Sequence, residues 1–95
     1  MVEVEADLQQ VTDDFLDYLL EAWAGLPRAE REIDTWDLIE QIDYVEEWTP
    51  KLDSLDWLER RAAQGLLTDE QQARLAELHR MVDEYQPILE RLRNS

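Results

Sequence analysis

Leu67-Thr68-Asp69-Glu70-Gln71-Gln72-Ala73-Arg74-Leu75 opens the most regular segment of the chain, and the positions that follow it decide the fold class. Thr68 with Gln71 three residues on is a capping box, in which each side chain satisfies the other's backbone N–H. Behind it Leu75, Leu78, Val82, Tyr85, Leu89 and Leu92 alternate by three and four, which is the spacing of one apolar helical face. Pro87 falls inside that pattern. It lacks an N–H and its ring presses on the carbonyl four residues back, so a bend over the preceding turn is expected. The 67–75 run is otherwise a generic helix start and carries no function with it.

Working backwards, Gly65 closes a third segment bearing Leu52, Leu55, Leu58 and Ala62. The short link at 65–67 makes the third and fourth segments an antiparallel hairpin. Thr49-Pro50 reads as a helix start, with Thr as cap and Pro at the first helical position. Yet Val45, Trp48, Leu52 and Leu55 stay in phase across it. A break at Pro50 is the expectation, and one long helix kinked there is the alternative. A second segment carries Leu38, Ile39, Ile42 and Val45 on its apolar side, capped by Asp34 or Thr35, and 25–34 reads as a connector. In the first segment Val4, Leu8, Val11, Phe15, Tyr18 and Ala22 form a stripe, stopped by Gly25 and Pro27 as a C-terminal glycine followed by proline does. Its start is either near Glu3 or at Thr12.

The expected fold is therefore all-α: a small antiparallel bundle of about four helical segments in one domain, 1–95. Composition agrees. Hydrophobic residues make up 44% beside 35% charged, which suits neither a disordered chain nor a membrane span. Two glycines and three prolines in 95 residues leave little for hairpin-rich β structure or glycine-rich phosphate loops. With no cysteine there is no disulfide, thiolate nucleophile or Cys-based metal site. Met1-Val2-Glu3-Val4-Glu5 is acidic where a signal peptide would be basic, so a cytoplasmic location is expected.

The formal net charge is −15 and is unevenly placed: −7 in residues 1–25, −6 in 26–50 and −2 in 51–95. Such a surface repels nucleic acid and anionic lipid. Material for catalysis is thin. His79 is the only histidine; with Asp83 four residues on it could share a metal, but the bland reading is an exposed helical His beside a carboxylate. Ser54 sits in a helical run without the strained turn that nucleophiles use. Asp53, Asp56 and Glu59 are spacings expected by chance among 24 acids, and no EF-hand order is present. Arg60-Arg61 suits a helix C-terminus without any ligand. No enzyme, metal or cofactor is expected.

Two features remain. Beside the first stripe of segment one lies a second, Leu16, Leu20 and Trp23; a helix apolar over that much of its circumference is either the central helix of a bundle or a homodimer interface. Trp36 falls opposite Leu38, Ile42 and Val45 and in line with Glu40, Asp43 and Glu47. A tryptophan in an acidic stripe suits a binding hot spot; the alternative is that it folds back onto Leu26 or Ile33. The expected function is a binding or regulatory module for a protein with a basic surface: an antitoxin-like neutraliser, a nucleic-acid mimic or an adaptor subunit. Its candidate contact residues are Trp36, Glu40, Asp43, Glu47, Asp13, Asp17 and Glu21. The alternative is a structural homo-oligomer or assembly subunit whose acidity only keeps it dissolved.

Overall fold

Local signals are met first. Thr68 Oγ1 accepts the Gln71 N–H at 3.1 Å while Gln71 Oε1 accepts the Thr68 N–H at 3.0 Å, and the helix so capped is continuous through Pro87. Gly65 adopts φ +72°, with Gly65 N–H bonded to the Ala62 carbonyl and Leu66 N–H to that of Arg61. This is a Schellman ending, and its left-handed residue is best supplied by glycine.

The computed structural model describes the backbone of residues 2–94 and the side chains of residues 6–94; Val4, at the head of the first stripe, has its side chain outside the described residues. The elements are α1 (Val2–Ala24), α2 (Leu26–Glu32), a single 3₁₀ turn (Ile33–Thr35), α3 (Leu38–Glu46), α4 (Trp48–Ala63) and α5 (Asp69–Arg93), with no strand among the described residues. Among the described residues no helix is long and apolar enough to cross a membrane. Phe15 stacks edge-on against Trp57 and Trp23 against Trp48, with centroids 5.3 and 5.0 Å apart, so α1 runs antiparallel to α4. Asp13 meets Gln71, Asp17 meets Arg74 and Glu30 meets Arg91, so α1 and α2 together run parallel to α5. The bundle measures 48 × 23 × 17 Å, its length set by a 25-residue α5 that alone spans about 37 Å.

Four sequence expectations are corrected. Residues 26–32 are helix, not connector: Gly25 keeps right-handed angles (φ −81°, ψ −10°) and Pro27 sits in the first turn of α2, where a missing N–H costs nothing. Leu26, Ala29 and Ile33 then bury against the rest. The cap of α3 is Asp37, not Asp34 or Thr35, which belong to the 3₁₀ turn. Thr49 is helical, not a cap; α3 and α4 form one bent unit whose single-residue turn is Glu47. The physical cause is Pro50, which has no N–H to offer the carbonyl four residues back and whose ring crowds that position in a straight helix. The bend therefore falls one turn before the proline.

The fourth concerns α1. Its buried line is Thr12, Leu16, Leu19 and Trp23, whereas Val11 and Tyr18 of the first stripe are exposed. Packing against α4 and α5 at once centres the buried arc between the two apolar stripes. Leu16 and Trp23, from the second stripe, are thus core residues, and Leu20 is half-buried against them. The indole N–H of Trp23 meets no acceptor among the described residues, which costs on the order of 1–3 kcal/mol.

Candidate functional site

Asp37 Oδ1 accepts the Glu40 N–H at 2.9 Å and starts α3. The segment is tied to the body by Gln41, whose Nε2 donates to the carbonyls of Ile33 and Trp36, each at 2.9 Å, and by Tyr44 and Val45, which pack against the core. No residue of α3 is buried. Leu38, Ile39 and Ile42, expected to face inward, are 70%, 72% and 46% exposed. On the side toward α5, Leu38, Ile42 and Val45 form one wall of an open groove of about 250 Å³, with Ile33 and Leu92 opposite and Glu46 and Arg93 adding charge.

The other flank is acidic and aromatic. Trp36, Glu40, Asp43, Tyr44 and Glu47 line a shallow recess of about 250 Å³. The Trp36 ring stacks edge-on against Tyr44 with centroids 5.3 Å apart and packs half-buried against the core. Burial pushes the Tyr44 hydroxyl up. Glu40 is held above the usual carboxylate range by its contact with Asp37, while Asp37 is held below it, chiefly by the Glu40 backbone N–H.

The acids of segment one have a different fate. Asp13 and Asp17 face Arg74 on α5, and Asp13 also accepts from Gln71; Glu21 is exposed on α1. None of the three lines the α3 recess. The structure therefore brings together Trp36, Glu40, Asp43 and Glu47 and separates them from the α1 acids. Among the described residues Glu40, Asp43 and Glu46 have no cationic partner, and Glu47 reaches only Lys51 at 3.9 Å.

Elsewhere little invites chemistry. His79 Nε2 lies 3.0 Å from Glu59 Oε1, both half-exposed, and no group of three potential metal ligands occurs among the described residues. Arg60 pairs with Asp56, whereas Arg61 is buried, 5.2 Å from the centre of the Trp57 ring. Its burial was not legible, since an arginine beside a second arginine reads as a helix-end surface residue. The exposed Leu38 and Ile39 were missed too; the available signal was the shortness of a nine-residue helix, which has room for few neighbours. No protein-family model, curated protein or solved structure matches this chain.

Proposed function

We propose that the chain is a non-enzymatic binding module that engages a partner protein with a basic surface through α3. One observation carries the reading: Leu38, Ile39 and Ile42 are exposed inside a segment, 37–47, that holds five carboxylates and no base. An apolar patch with a polar rim marks an interaction site more often than a bare surface does. Full burial of a Leu or Ile side chain is worth about 1.5–3 kcal/mol, so a partner covering this ridge gains affinity from it. The carboxylates supply sign and steering. Antitoxin-like neutraliser, nucleic-acid mimic and adaptor all share this requirement for a basic partner.

The homo-oligomer reading draws less support. Its expected surface, the two apolar stripes of α1, has Leu16 and Trp23 inside the core and leaves Val11 and Tyr18 exposed, and two copies at −15 each repel one another.

The test is affinity capture from native material with the wild-type chain, Ile39→Asp, and the double variant Glu40→Lys/Glu47→Lys, followed by reconstitution with the purified partner. A basic protein retained by wild type and lost by Ile39→Asp is the expected result. The double variant should slow association and flatten its salt dependence. Retention by all three with equal rates would remove the proposal.

A further inference from the structure

We infer that the recess on the acidic flank of α3, lined by the Trp36 and Tyr44 rings, receives an arginine side chain of the partner protein. This rests on the proposal that α3 engages a basic partner, and names the group the partner inserts and the place that takes it.

The lining selects a cation. Trp36, Glu40, Asp43, Tyr44 and Glu47 form it, so three carboxylates and two aromatic rings stand together with no base among them. Glu40 and Asp43 are three residues apart, Asp43 and Glu47 four, which sets each pair side by side on the helix surface. The rings share that preference, because the face of an aromatic ring attracts a cation within about 6 Å of its centre. An anion is repelled here, and an uncharged apolar group would take carboxylates out of water with nothing in return.

The chain fills the neighbouring corner in this same way. Lys51 Nζ lies 5.4 Å from the ring centres of both Tyr18 and Trp48 and 3.9 Å from Glu47 Oε2, with its side chain only 12% exposed. Trp48 meets Tyr44 edge-on with centroids 6.4 Å apart, and Tyr44 meets Trp36. At Trp48 this aromatic row has a cation from Lys51. At Trp36 and Tyr44 the same chemistry recurs, and no side chain of this chain supplies one.

Arginine fits better than lysine. The recess, about 250 Å³, lies below the roughly 300–1,000 Å³ of small-molecule sites and suits one side chain. A guanidinium is planar, weakly hydrated and stacks on aromatic rings, and its forked donors can bridge two adjacent carboxylates. An ammonium is a compact, strongly hydrated point charge.

The probes are three capped pentapeptides, glycine at every position but the centre, which holds arginine, lysine or citrulline, the uncharged counterpart of arginine. NMR on the full chain at about 0.15 M salt follows the Trp36 indole and the Tyr44 ring. The arginine peptide should give saturable shifts there, with affinity at least about threefold above the lysine peptide, and citrulline should give none. Trp36→Leu should weaken binding about two- to fivefold, the worth of an exposed cation–π contact. Asp43→Asn, at an exposed position and nearly unchanged in shape, should weaken it at least as much with unaltered thermal melting. Lysine or citrulline binding as well as arginine would overturn the inference. So would affinity indifferent to both variants, or shifts centred on Asp13 and Asp17 instead. The natural partner separates the two claims. If it is lost by Ile39→Asp and by Glu40→Lys/Glu47→Lys but binds Trp36→Leu and Asp43→Asn at wild-type rates, the recess inference fails and the basic-partner reading stands. If Ile39→Asp and the charge reversals leave it bound at wild-type rates, the reading itself fails.

Discussion

α5 and α3 begin alike and end differently. Each has a polar cap accepting an N–H three residues on, Thr68 from Gln71 and Asp37 from Glu40. Each then carries apolar residues at three-four spacing. Yet α5 buries Gln71, Leu75, Leu78, Met81, Leu89 and Leu92, while no residue of α3 is more than partly buried. Length and neighbours make the difference. α5 is 25 residues long and lies along α1, α2 and α4; α3 has nine residues, wedged between a 3₁₀ turn and the bend forced by Pro50. An apolar face states that a helix has a preferred side. It does not state that anything in the same chain covers it.

The sharpest way to break this contrast is to truncate both faces. Leu78 is fully buried, and Leu78→Ala should cost about 2–5 kcal/mol in urea unfolding. Ile39→Ala on α3 should stay within about 0.5 kcal/mol, as surface substitutions do. Comparable losses at the two positions would mean that α3 is packed more closely than its exposure implies.

Gln71 offers a smaller effect within α5. Besides the capping box, its Nε2 donates to the Gln9 carbonyl at 3.3 Å and to Asp13 Oδ1 at 3.0 Å. Gln71→Ala removes a buried donor and leaves Asp13 to Arg74 alone, a loss of about 1–3 kcal/mol by calorimetry. Asp13→Asn should cost less, since the amide still accepts that bond.

Amide exchange compares the two helices in the native protein. The α5 amides from Leu75 to Leu89 should exchange only through global unfolding, whereas those of α3 open locally. Denaturant-independent exchange at Ile42 and Tyr44, beside strongly dependent exchange at Leu78, is the expected pattern. A common slope for all three would show that α3 opens only with the core.

The smallest effect is electrostatic. Carbon-detected NMR titration should place Asp37 below and Glu40 above their ordinary carboxylate ranges. The signs oppose. A depressed Asp37 contributes stability that is present above its unfolded value and lost as pH falls through the folded one. A raised Glu40 contributes only where it is protonated, below its unfolded value, and that part is lost as pH rises through its folded value. Asp37→Asn should return Glu40 toward its ordinary range, because it weakens the side-chain hydrogen bond that favours protonated Glu40 and removes the neighbouring charge.

Helix content, the capping box at Thr68, the Gly65 ending and the antiparallel hairpin were legible in the residues, because caps, glycine angles and apolar spacing act over one or two turns. The grouping of Glu40, Asp43 and Glu47 was legible for the same reason, since they share one side of a helical wheel; Trp36, extended and ahead of the helix, joins them through its ring contact with Tyr44. Several features were not. Gln71 and Arg61 are polar residues whose burial depends on what lies across from them, and Leu19, absent from both α1 stripes, is fully buried because α4 and α5 approach from either side of the arc. The separation of Asp13 and Asp17 from the α3 acids follows from Arg74, more than fifty residues away in sequence. Which apolar face lies open is a question about the arrangement of all the helices together. Local chemistry makes a face; only packing determines whether it is covered.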